Sequence, residues 1–171
     1  MLVPGQTDFR SQISIPLKSS GKIGHYRMLS KKLYCLEIHM KGSCLCGTVE
    51  YEIIQLDSPI AHCACRTCRK AHAAAFNSSA AVNRDHFRWS KGQENLKYYE
   101  SSPGKRRYFC GTCGSHLVAE RIGQPNLILR VATLDDDPGG KPVCRIWQSH
   151  EVPWLENGYQ IPSFPEWQPG H

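Results

Sequence analysis

From Met40 onward the chain alternates apolar and polar positions in short stretches, or runs apolar over a few residues, which is the pattern of β-strands. Thr48–Ile54 (TVEYEII) is β-branched and partly alternating. Ala75–Val82, Phe87–Trp89, Leu96–Tyr99, Arg107–Phe109 and His116–Ala119 are further short candidates, divided by Gly, Asn, Pro and Ser turns. Leu127–Thr133 (LILRVAT) and Val143–Trp147 (VCRIW) predict buried strands. A helical turn or two is predicted only over Thr67–Ala74. Asp135, Asp136 and Asp137 precede Pro138-Gly139-Gly140 and predict a solvated turn, since neighbouring aspartates point in different directions. The predicted class is mainly β.

The first 39 residues break this pattern. They show neither strict alternation nor a sustained helical period, and Pro4, Gly5, Pro16, Gly21 and Gly24 punctuate them. Residues 1–39 are therefore expected to be an N-terminal extension, mobile or preceding the native start, with 40–171 as the single working domain. The full 171 residues suit one domain with an extension. No apolar run approaches the roughly 20 residues of a membrane-spanning helix, so no membrane partner is expected. The absence of a secretory apolar core points to a reducing, cytoplasmic setting.

Charge separates the same two regions. The net charge of +6 is carried mainly by residues 1–41, where Arg10, Lys18, Lys22, Arg27, Lys31, Lys32 and Lys41 face only Asp8 and Glu37. The dense basic run of the body, Lys105-Arg106-Arg107, reads as a solvated strand end, which argues against nucleic acid as a partner.

Cysteine changes the picture most. The chain has nine, an odd number, and seven fall in three tight clusters: Cys44/Cys46, Cys63/Cys65/Cys68 and Cys110/Cys113. Such spacing in a reducing setting points to metal ligands. Cys110-Gly-Thr-Cys113-Gly114 is a knuckle whose small residues turn amides toward sulfur, and Cys44/Cys46 supplies two more thiolates for a closed zinc site. Cys63, Cys65 and Cys68 have no obvious fourth ligand. They form either an open zinc site suited to an exchanging thiol, or one closed by His62, His72 or His116. Cys35 and Cys144 lack cluster partners, and Cys144 is expected to be a buried neutral thiol.

Gly42-Ser-Cys44-Leu-Cys46-Gly47, His62-Cys-Ala-Cys65-x-x-Cys68-Arg69-Lys70, Phe109-Cys110-x-x-Cys113-Gly114 and Ile146-Trp147 with Pro153-Trp154 together resemble the glutathione-dependent formaldehyde-activating enzyme family, to which centromere protein V also belongs. The resemblance runs from Met40 to about Glu166. It implies a zinc-stabilised β-tent of short antiparallel strands with two zinc ions per chain, one at Cys44, Cys46, Cys110 and Cys113 and one at Cys63, Cys65 and Cys68. It also implies a carbon–sulfur lyase-type enzyme in which glutathione adds to formaldehyde at the second zinc, making Cys63, Cys65 and Cys68 the catalytic set. Arg69 and Lys70 are the nearest cations for the carboxylates of glutathione. Three positions depart from the family pattern: His72, Ala73 (often Gly) and Arg145 (often His). Trp147 and Trp154 are expected in the core or a pocket wall. The competing expectation is a non-enzymatic zinc module that binds a protein or chromatin partner, with the extension as its basic arm.

Overall fold

The computed structural model describes residues 39–155 and 162–168. Residues 1–38, including Cys35, lie outside them, and so does most of the expected extension. Ten strands and one α-helix follow in chain order: β1 (Met40–Ser43), β2 (Glu50–Ile53), β3 (Ala61–Cys63), α1 (Arg66–His72), β4 (Asn77–Asn83), β5 (Phe87–Lys91), β6 (Leu96–Ser102), β7 (Lys105–Cys110), β8 (His116–Arg121), β9 (Asn126–Arg130) and β10 (Cys144–Ile146). They form a three-stranded sheet, β1-β2-β5, and a seven-stranded sheet, β10-β3-β4-β9-β8-β7-β6. The chain is thus mainly β, as the pattern predicts. One pair departs from antiparallel pairing: β10 runs parallel to β3.

The core lies between the sheets. Tyr51, Ile53 and Val49 from the small sheet region pack with Val82, Leu117, Val118 and Leu129 from the large one. Phe87 stacks on Tyr51 at 5.4 Å between centroids, and Trp89 meets Phe87 edge-on at 4.8 Å. Each such pair adds about 0.5–1.5 kcal/mol beyond its buried area. Gly42 makes the packing possible: a Cβ there would sit 2.1 Å from the Tyr51 ring. The Tyr51 hydroxyl reaches Thr133 Oγ1 at 2.8 Å, so the sheets are tied by a polar contact at the edge of the apolar core.

Strand register gives the large sheet two chemically different faces. Ala80, Leu129, Val118 and Tyr108 stand opposite one another across β4, β9, β8 and β7, and directly opposed residues project to the same side. That face meets the core. The alternate positions put Lys105, Arg107, Ala119, Arg121, Ile128, Arg130, Ser79 and Cys63 on the other face. This face carries the candidate chemistry.

Three local expectations need correction. Met40–Ser43 and Ala61–Cys63 pair as strands although Gly, Lys and His weaken their pattern, because their partners β2 and β4 supply the ladder. The strand expected over Leu127–Thr133 ends at Arg130 and turns into a 3-10 segment, Val131–Thr133, where Thr133 donates to the Arg130 carbonyl at 2.8 Å. The Asp135–Asp137 run is not uniformly free. Asp135 accepts from Ser43 Oγ at 2.9 Å and Asp136 from the Lys41 amide at 2.7 Å, so two of its carboxylates anchor β1.

Candidate metal centres

The first centre joins two distant pieces of chain. Cys44 and Cys46 flank the turn after β1, while Cys110 closes β7 and Cys113 follows in a turn to β8. Gly114 takes φ +78, a left-handed conformation that glycine adopts without a Cβ penalty, and this brings Cys113 back toward Cys110. The four sulfurs all lie within 4.8 Å of one another. Cys44 to Cys46 is 3.5 Å and Cys46 to Cys110 is 3.9 Å, against roughly 3.8 Å for the edge of a zinc–thiolate tetrahedron. The Val49 amide donates to Cys44 Sγ at 3.3 Å and the Thr112 amide to Cys110 Sγ at 3.4 Å.

The electrostatics fit a cation at the middle of this set. The Ser115 hydroxyl and amide pull the Cys113 thiol down to about 5, and the Thr48 hydroxyl and amide lower Cys46. Burial pushes Cys44 up to about 11. Two sulfurs are thus shifted toward the thiolate form and one away from it. A divalent cation among them supplies what full ionisation requires.

The second centre is local. Cys63 ends β3, Cys65 caps α1, and Cys68 lies one turn along that helix. Cys65 Sγ accepts from the Cys68 amide at 3.4 Å, which fixes both the helix start and the sulfur position. The three sulfurs lie within 4.8 Å of one another, and no histidine or carboxylate joins them among the described residues. His62 Nδ1 is instead 3.0 Å from Ser78 Oγ. His72 turns toward His116, with ring centroids 4.9 Å apart, and its Nε2 is buried without a partner. Burial, then Arg130, His116 and Arg107, push His72 down to about 3. None of the three candidate imidazoles thus stands with these sulfurs. Burial opposes ionisation at Cys65, but the Cys68 amide and neighbouring thiols outweigh it and lower its pKa, whereas burial pushes Cys63 up to about 12. This donor set, three thiolates with one side free, also fits zinc.

That free side opens into a cavity of about 510 Å³. Cys63, Cys65 and Cys68 form one wall, and Arg66, Lys105, Arg107 and Arg121 bring four cations with, among the described residues, no carboxylate. Trp147 and His150 complete the rim, Trp147 at φ +61 and more than half exposed. Burial and the nearby Arg107, Arg130 and Arg121 lower the Lys105 pKa, which marks how concentrated the positive charge is. A second cavity of about 590 Å³ shares Arg66, Thr67, Ser101 and Arg107 with the first and adds Lys70 and Tyr99.

Several sequence expectations meet this geometry differently. Arg69 does not line either cavity; its Nε donates to the Ala64 carbonyl at 3.1 Å and braces the start of α1. Lys70 lines the second cavity. Lys105-Arg106-Arg107 is not simply a solvated strand end, because Arg107 is buried and its Nε donates to Ser101 Oγ at 2.9 Å. The alternation of β7 could have shown this, since Lys105 and Arg107 share a face that Arg106 does not. Cys144 lies in β10 as expected but is exposed, because β10 is the edge strand. Trp154 is exposed rather than in the core. Arg145 stands opposite His62 in the β10–β3 ladder, with Glu151 at 3.7 Å.

Comparison with known proteins agrees with this class of site. The sequence profile described as "glutathione-dependent formaldehyde-activating enzyme" matches residues 39–150, and the chain belongs to that family. Among solved structures, a crystal structure of a Rhodobacter sphaeroides protein is similar with a TM-score of 0.52 and 28% identity, covering 62% of this chain and 99% of that one. Among curated proteins no match is found. No helix among the described residues is long and apolar enough to cross a membrane.

Proposed function

We propose that residues 40–171 form a cytoplasmic, zinc-dependent enzyme of the carbon–sulfur lyase type, which adds glutathione to formaldehyde or a related small electrophile. The observation that carries the reading is the three-sulfur cluster with an open side, facing a cavity lined by four cations and, among the described residues, no carboxylate. Two zinc ions are proposed, a structural one at Cys44, Cys46, Cys110 and Cys113 and a reactive one at Cys63, Cys65 and Cys68. Cys63, Cys65 and Cys68 would hold this zinc, which would supply a Lewis acid that lowers the pKa of an incoming thiol.

The protein's own groups do the rest. Glutathione carries two carboxylates, and Lys105, Arg121, Arg66 and Arg107 are placed to receive them in charge-assisted hydrogen bonds. Trp147 gives the ligand an apolar wall. With the peptide anchored, the sulfur attacks the carbonyl carbon. The S–C bond forms, the C=O π bond breaks, and the oxygen takes up a proton while the thiol's own proton passes to water, giving the S-hydroxymethyl thioether, a hemithioacetal. Because thiols add to formaldehyde readily in water, the gain is one of positioning and local thiolate.

The test is the exchange rate between free formaldehyde and S-hydroxymethylglutathione, followed by NMR with the zinc-loaded protein. The reading expects acceleration in proportion to enzyme concentration, lost on Cys65→Ser. An exchange rate equal to the uncatalysed one would refute it.

A further inference from the structure

Arg130, at the end of β9, is 4% exposed, and its Nε and Nη2 are fully enclosed with no hydrogen-bond partner. No carboxylate among the described residues pairs with it. Native structures rarely leave a buried guanidinium in this condition, because an uncompensated buried charge is among the costliest features a fold can hold. Arg107 lies on the same sheet face and opposes the charge of Arg130.

The register shows where compensation comes from. Arg130 stands opposite Ser79, and Ser79 opposite Ala61, so the three project to one side. Cys63 is two residues along β3 from Ala61 and projects to that same side. The distance across two strands is about 10 Å, which an extended arginine arm largely spans. Directly opposite Cys63 stands Asn77, itself buried, whose Nδ2 also lacks a partner. Two buried donor groups without acceptors thus share the face that carries the first sulfur of the reactive centre. The groups that favour the Arg130 charge are Cys68, Cys63 and Cys65, although burial is the largest influence and pushes its pKa down to about 10.

We infer that Arg130 is the charge partner of the Cys63/Cys65/Cys68 centre, a positioning residue whose buried guanidinium balances the negative charge of the metal–thiolate set. Three thiolates around one divalent zinc leave a unit of negative charge, and an incoming thiolate adds another. A fixed cation behind the sulfurs stabilises both states and most of all the thiol-loaded one, so Arg130 helps retain the metal and recruit the thiol without touching either. The inference rests on the reading of these cysteines as a metal centre.

The test compares Arg130→Met and Arg130→Lys with wild type by chelator competition for the two zinc equivalents, using the four-cysteine site as an internal control. Arg130→Met should weaken the second equivalent at least tenfold, as loss of outer-shell partners commonly does, and leave the first unchanged. Arg130→Lys, which keeps the charge, should stay within about threefold of wild type on the same scale. Equal zinc affinity in Arg130→Met and wild type would overturn the inference, and so would a loss as large in Arg130→Lys. Far-UV circular dichroism and the first equivalent report folding; if Arg130→Met does not fold, Arg130→Gln replaces it. Should wild type take only one equivalent, the metal-centre reading itself fails. Arg130 is then judged by the iodoacetamide reaction rate of Cys63, Cys65 and Cys68 in the one-metal protein: slower reaction in the neutral variant sustains the charge partnership, and equal rates end it.

Discussion

The two cysteine clusters set the same atom in opposite surroundings. The four-cysteine centre draws on β1 and β7, far apart in the chain, and buries Cys44 and Cys110 among core residues. The three-cysteine centre is contained within β3 and α1, six residues of chain, and faces a cavity rather than the core. A metal held where distant pieces of chain meet in the core would govern folding. A centre that is local and open on one side can exchange a ligand while the fold stays intact. Their surroundings differ accordingly: hydroxyls and amides from Thr48, Val49 and Ser115 attend the first, while arginines and a lysine attend the second.

The largest effect expected from this contrast is the loss of the first centre. Cys110→Ser should abolish cooperative unfolding, because a structural zinc contributes about 10–16 kcal/mol where whole domains are stable by about 5–15 kcal/mol. A Cys110→Ser protein that melts near the wild-type temperature would erase the distinction between the centres. Cys65→Ser should do the reverse. It should remain folded, hold one zinc by elemental analysis, and lose on the order of 10² or more of its exchange activity.

A smaller effect separates the centres by pH. His72 is held neutral by burial and by Arg130, His116 and Arg107, with a folded value of about 3 against an ordinary value of 6.5. Its folded pKa lies below the unfolded one, so the unfolded chain binds the proton first as pH falls. Stability is full above about 6.5 and is lost progressively toward 3. His72→Phe lacks this penalty. The melting temperature of the variant relative to wild type should therefore rise as pH drops from about 7 to about 5; a gap that does not change with pH would show that His72 is not the buried neutral group described.

The smallest effect concerns the helix that carries Cys68. Ala73 ends α1 in a left-handed conformation, φ +48 and ψ +39, and its own amide donates to the Arg69 carbonyl. A Cβ in that region costs about 1–2 kcal/mol, a strain that glycine does not carry. Ala73→Gly should raise stability by about 0.5–1 kcal/mol in denaturant titrations, with both zinc equivalents retained. A loss of stability would contradict the strain.

The two cysteine clusters were legible in the sequence because groups able to hold a metal are written in spacing. Cys110-x-x-Cys113-Gly114 specifies its turn locally, and Cys63-x-Cys65-x-x-Cys68 needs only a strand end and one helical turn. The cavity was less legible. Lys105, Arg107 and Arg121 come from two strands, and only the register of β7 and β8 brings them to one face. Arg69 and Lys70 were the nearest cations in sequence, but proximity along a helix does not fix direction: Arg69 turns back to the Ala64 carbonyl. β1 and β3 were missed because their own residues pattern weakly and pairing partners decide them. The exposure of Cys144 followed from its place on an edge strand, which sequence alone does not reveal.

Zinc-edge X-ray absorption on the purified protein, with and without glutathione, tests the division into one closed and one open centre most directly. One four-sulfur and one three-sulfur site average about 3.5 sulfurs per zinc. The account predicts that value without the thiol and a rise toward about 4 when glutathione binds. A sulfur count that stays unchanged on adding glutathione would contradict the open, thiol-exchanging centre.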